Sequence, residues 1–170
     1  MDYKAVKERI KKHEGFRNTV YLDSLGKATI GYGHLLTEED DFEEGIQYDK
    51  SILEDLFEKD FNTAAYNAEQ LLEGYTVAPL AKEVIIEMVF QLGIGGVSKF
   101  KKMFAALKEY DYLLASAEML NSAWYRQTPG GHGYKNKKIL YEPKNIPAIY
   151  QGGESTIGSE SMSTQRAERK

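Results

Sequence analysis

A short run of β-forming residues, Thr19-Val20-Tyr21-Leu22-Asp23, leads into the turn-like Ser24-Leu25-Gly26 and then the glycine-spaced KATIGYGH, with helical periodicity on both sides. β-Branched and aromatic residues interrupted by a small polar turn specify a hairpin continuing into a glycine-rich strand. A hairpin flanked by helical patterns packs against helices. The chain is thereby confined to an α+β, mostly helical fold, with a small N-terminal β-hairpin lobe followed by a helical lobe.

The helical patterns are read from their apolar spacing. Tyr3, Val6 and Ile10 recur at helical intervals, Asp2 stands as N-cap, and Gly15 ends the helix near Glu14. A long helix spans about 50–73, capped by Asp49, with Ile52, Leu53, Leu56, Phe57, Phe61, Ala64 and Ala65 as its apolar stripe. PLAKEVIIEMVFQLG forms a second long helix that stops at the glycines between Gly93 and Gly96. Further helices cover roughly 97–107 and 112–121. The acidic EEDDFEEG is a solvated loop or a short helix. From Pro129 onward, glycine, serine and proline replace any sustained period, and residues 130–164 read as an irregular loop or insertion.

Composition removes whole classes of function. With no cysteine there is no disulfide framework, thiolate metal site or cysteine nucleophile. His13, His34 and His132 lack ligand spacing, and the glycines of GYGH and GIGG follow no dinucleotide or phosphate-loop pattern, so no metal or cofactor is expected. Residues 1–129 carry 15 basic and 22 acidic side chains, and residues 130–170 carry 7 and 4. An acidic body argues against nucleic acid as a partner, because phosphate binding needs clustered cations. The charged N-terminal segment is no signal peptide and no stretch is apolar enough to insert in a membrane.

Three side chains carry candidate chemistry. Glu14 closes the first helix at the negative end of its dipole, which disfavours the ionised carboxyl. An apolar neighbour such as Phe16 acts in the same direction where it buries the group. A carboxylic acid kept protonated suits a leaving glycosidic oxygen. Asp23 lies at the hairpin turn and Thr29 on the next strand. Taken singly, each is also an ordinary helix-end, turn or strand residue. Together, two carboxyls flanking a bond and a hydroxyl to hold water are the parts of glycoside hydrolysis.

HEGFRNTVYLDSLGKATIGYGHLLT resembles the active-site segment of the phage lysozymes of glycoside hydrolase family 24. The match holds at Glu14-Gly15, Tyr21, Asp23, Gly26, Thr29-Ile30-Gly31, Gly33-His34 and Leu35-Leu36-Thr37. It resumes in LFEKDF, MVFQLGIGGVSKF and AEMLNSAWYRQTP, covering most of residues 1–129. The resemblance implies a single lysozyme-like domain with a cleft between two lobes, about 14–59 and 60–129 plus 1–13. It implies Glu14 as general acid, Asp23 as second carboxylate, Thr29 as the residue positioning water, and Leu35 and Phe90 beside the bound sugar. His34 has a structural part in this scheme, paired with Asp60, while Gln91, Trp124 and Gln127 form a polar wall beneath the cleft or satisfy core hydrogen bonds.

The implied activity is that of a monomeric muramidase acting on bacterial peptidoglycan, inverting at the anomeric carbon. Asp23 and Thr29 together favour hydrolysis over transglycosylation by a lone glutamate. Synthesis in the host bacterial cytoplasm is then followed by release across the inner membrane to the cell wall. The pattern departs from the family after Pro129, where the arginine-rich segment expected to follow WYRQTP appears only as QRAERK. An insertion over 130–164 explains this and makes Arg166 the residue that meets Glu14, with Arg169 one turn further. Such a cation lowers the pKa of Glu14, against burial and dipole. Two other functions compatible with this departure are a catalytically impaired peptidoglycan-binding module and a virion-associated structural protein. The lysines Lys135, Lys137 and Lys138 read as a solvated loop rather than a wall contact.

Overall fold

The computed structural model describes residues 3–121, so Asp2, Trp124, Gln127, Arg166, Arg169 and the 130–164 segment lie outside the described residues. In chain order the elements are α1 (Lys4–Glu14), β1 (Arg17–Leu22), β2 (Ala28–Gly31), β3 (His34–Leu35), α2 (Lys50–Leu71), α3 (Pro79–Ser98), α4 (Lys101–Lys108) and α5 (Tyr112–Leu120). Helices dominate and one small sheet accompanies them, which is the α+β, mostly helical class expected. Two compact units divide the chain, one up to Ala65 and one from Tyr66, with the boundary inside α2.

In the first unit, α1 buries Val6 and Ile10, one turn apart, so its apolar stripe meets the core as its spacing requires. The residue before its first turn is Tyr3, and among the described residues no side chain caps it. Gly15 ends it at φ +73°, and its N–H donates to the Lys11 carbonyl at 3.0 Å. Glycine takes that left-handed turn without the steric cost a β-carbon brings. The other face of α1 is polar: Lys7 meets Glu58 at 2.7 Å and Lys11 meets Glu54 at 2.6 Å, both acceptors on α2. Glu54 also accepts the Tyr32 hydroxyl at 2.7 Å. Burial first, and then that hydrogen bond, push the Tyr32 phenol up to about 12.

The sheet is antiparallel in the order β1-β2-β3. Tyr21 lies opposite Thr29 and Thr29 opposite Leu35, while Ile30 faces His34. β1 starts at Arg17, two residues before the run of β-formers, and its register with β2 shifts between Arg17 and Tyr21. Residues 38–45 form an irregular connection, so the acidic stretch is a loop and not a helix.

α2 lays Leu53, Phe57 and Phe61 into this unit's core, with Phe57 and Phe61 stacked at 6.2 Å. The stripe is narrower than its sequence suggests, because Ile52 is 47% exposed. One residue is about 100° of helix turn, which swings Ile52 away from the row that holds Leu53 and Phe57.

The second unit is built from the end of α2 with α3, α4 and α5. Residues 84–89 of α3 are all buried, Glu87 among them. The expected stop at the glycine cluster is a break at Gly93 (φ 74°, ψ 167°), after which helix resumes to Ser98. One helix over 97–107 is therefore replaced by the end of α3, an interruption at Lys99 and Phe100, and α4. Asp111 caps α5 by accepting the Leu114 N–H at 3.0 Å, and the Tyr112 hydroxyl accepts the Ala78 N–H at 2.9 Å. Among the described residues no helix is long and apolar enough to cross a membrane.

Candidate active site

Glu14 is the last residue of α1, half-buried, and Gly15 turns the chain away immediately after it. Its carboxylate lies against the turn between β2 and β3, so close that a β-carbon at Gly33 would overlap it. Gly33 is also at φ +76°. Two independent constraints thus ask for glycine there, a left-handed backbone and room for the Glu14 side chain. The end of a helix and the tip of a strand turn are docked through one carboxylate.

Asp23 sits where β1 leaves the sheet. Its Oδ1 accepts the N–H groups of Leu25 and Lys27, each at 2.8 Å, so the carboxylate is oriented by the turn it creates. The Asp23 N–H donates to the Lys27 carbonyl at 2.9 Å, and Thr29 Oγ1 donates to the same carbonyl at 2.9 Å. The peptide of Lys27 therefore ties Asp23 and Thr29 together from one point. Thr29 is 2% exposed. With its proton given to Lys27, its hydroxyl retains acceptor capacity only.

Thr29 occupies the middle of the cross-strand row Tyr21–Thr29–Leu35, and directly opposed residues project from the same face of a sheet. Leu35 is 45% exposed at the edge of that row. At its other end, the Arg17 guanidinium lies over the Tyr21 ring at 4.6 Å. The Tyr21 phenol is pushed up, first by burial, then by the charge of Glu14, with Asp23 adding to it and Arg17 opposing. Both carboxylates thus bear on the phenol of Tyr21, the residue opposite Thr29 in the sheet.

Phe16 packs its ring against Tyr32 at 5.0 Å and is 38% exposed. His34 has the structural part expected of it: Nδ1 lies 2.7 Å from Asp60 on α2. Its Nε2 lies 2.9 Å from Asp40, a partner the sequence did not announce. Asp40 also accepts the Thr37 N–H at 2.8 Å, so the acidic loop is tied to β3 and α2 through one imidazole. Phe90 is partly buried on α3 in the second unit. Arg166 lies outside the described residues. Among the described residues no group of three or more histidine, aspartate or glutamate side chains is placed to hold a metal ion.

Gly33, Tyr21 and the Lys27 carbonyl are the parts that residue-type reasoning passed over. Gly33 and Tyr21 were visible only as matched positions. A backbone carbonyl has no sequence signature at all.

The phage lysozyme family model matches residues 11–139 of the chain. Two similar proteins come from Dictyostelium discoideum, probable T4-type lysozyme 2 and probable T4-type lysozyme 1. Each is 32% identical over 148 residues, spanning 74% of this chain and 87% of the relative. The pre-baseplate central spike protein Gp5 of Enterobacteria phage T4 is 28% identical over 152 residues, a match that covers 26% of that longer protein. With more than half its length inside the family model, the chain belongs to the phage lysozyme family, and its class is that of a lysozyme, a glycoside hydrolase.

Proposed function

We propose that the protein hydrolyses the β-1,4 bond between N-acetylmuramic acid and N-acetylglucosamine in peptidoglycan, by a single displacement that inverts the anomeric centre. The observation that carries this is the triple of Glu14, Asp23 and Thr29, the second and third both hydrogen-bonded to Lys27. Glu14 delivers its proton to the leaving glycosidic oxygen. Asp23 accepts one proton of a water, and Thr29 Oγ1, whose own proton goes to Lys27, accepts the other. A water held by both its protons presents a lone pair to the anomeric carbon from the face opposite the leaving group. Inverting enzymes of this kind separate their carboxyls by about 6.5–9.5 Å to admit that water.

In this reading Leu35, exposed at the edge of the sheet row, contacts the sugars. The protein acts as a monomer on the host wall after release across the inner membrane. A second reading, a virion-associated lysozyme, is favoured by the likeness to the phage T4 spike protein.

The test is release of reducing sugar from purified peptidoglycan, with the first-formed anomer read by NMR. The wild type is expected to release it and Glu14→Gln to lose at least about 100-fold of the rate, the scale of general acid catalysis. The α-anomer appearing first supports inversion. Retained configuration, or a variant as active as the wild type, would overturn the assignment. Co-purification with phage particles, set against recovery from the soluble lysate, decides between the two readings.

A further inference from the structure

Tyr21 is held by its ring. Arg17 covers one face of that ring at 4.6 Å, and the strand register sets Tyr21 opposite Thr29. A phenylalanine would make both contacts equally well. The hydroxyl has no such employment: among the described residues no group hydrogen-bonds it, and it is not one of the buried polar atoms left without a partner, so it is open to a ligand. Here the carboxylates of Glu14 and Asp23 both act on that phenol.

We propose that Tyr21 is a substrate-positioning residue whose hydroxyl donates a hydrogen bond to a saccharide oxygen beside the scissile linkage. The inference rests on the muramidase reading and adds to it a contact with the substrate. A glycan bound between an acid on one side and a water-activating carboxylate on the other lies where this O–H is unspent. Burial first, and then the charge of Glu14, raise the phenol pKa, so the group remains a donor at neutral pH. The ring contacts fix the direction of the C–O bond in advance, which lowers the entropy lost on binding.

The test compares Tyr21→Phe with the parent in two backgrounds. In Glu14→Gln, which holds substrate without turning it over, the probe is a wall tetrasaccharide freed of stem peptides, titrated calorimetrically. Loss of one net hydrogen bond is expected to weaken binding about three- to tenfold. With Glu14 intact, KM on the same tetrasaccharide is expected to rise by the same factor with kcat little changed, as for loss of uniform binding. The thermal midpoint stays within about 2 °C of the parent, since among the described residues the hydroxyl bonds to nothing. Equal affinity and equal KM overturn the inference while leaving the muramidase intact. A midpoint lowered by several degrees overturns it in favour of a structural hydroxyl. A folded wild type that releases no reducing sugar removes the muramidase reading and this inference with it.

Discussion

Gly33 shows how a residue without a side chain can set the geometry of one that does chemistry. Its left-handed backbone is what an added β-carbon disfavours by about 1–2 kcal/mol. That same β-carbon would occupy the space of the Glu14 carboxylate. Gly33→Ala is therefore expected to lower stability by about 1–2 kcal/mol in a denaturant titration. Its effect on turnover should be larger, on the order of tenfold or more, because a proton donor displaced by a fraction of an ångström loses its alignment. Turnover falling no further than the unfolded fraction explains would show that Glu14 is not set by this contact. Thr29 illustrates the complementary case, a residue whose common role and special role coexist. It is a good strand former, and its committed proton is what leaves its oxygen as an acceptor.

At the level of elements, the joint between β3, the acidic loop and α2 is a single imidazole. The hydrogen bond to Asp60 raises the His34 pKa most, burial opposes it, and the bond to Asp40 adds to the rise. A neutral imidazole has one N–H and can donate to only one carboxylate, so both bonds require the cation. Stability from a raised histidine pKa is complete below the ordinary histidine range, near about pH 6.5, and is lost as pH climbs through the folded-state value. Burial alone would raise the Asp40 pKa, but the hydrogen bonds from His34 and Thr37 outweigh it and leave it lowered. Its contribution is present above the ordinary aspartate range and disappears as pH falls through the lowered value. Urea unfolding at a series of pH values should show stability falling by about 1–3 kcal/mol on the alkaline side. The same series on His34→Asn should lack that alkaline slope. An unchanged slope in the variant would assign the effect to another group.

At the scale of the whole molecule, charge is the property that bears on substrate encounter. The 22 acidic side chains of residues 1–129 exceed the 15 basic ones, whereas 7 basic and 4 acidic residues follow from 130 to 170. An acidic body approaching an anionic wall is repelled over roughly a Debye length, about 10 Å at 0.1 M salt. Wall-lytic rate is therefore expected to rise about two- to fivefold between 10 and 150 mM sodium chloride, as screening relieves the repulsion. A rate that falls steadily over that range would mean that cations dominate the encounter. The neutralised triple variant of Lys135, Lys137 and Lys138 would then be the protein to compare.

Periodicity and turn chemistry are local, and so the chain by itself determined where most elements lie. The α1 stop at Gly15, the hairpin around Asp23, α2 from Lys50 and the break at Gly93 all follow from neighbours in sequence. The candidate acid, second carboxylate and threonine were equally legible, since the motif that carries them is contiguous. The His34–Asp60 pair was legible too. The exposure of Ile52 and the division between α3 and α4 were decided by tertiary packing. Each turns on a shift of one or two residues that local preference hardly distinguishes in energy. The Gly33 cradle for Glu14 and the Asp40 bond to His34 belong to tertiary structure alone. They are relations between atoms distant in sequence or unspecified by residue type, and only the folded backbone sets the distances on which such contacts depend.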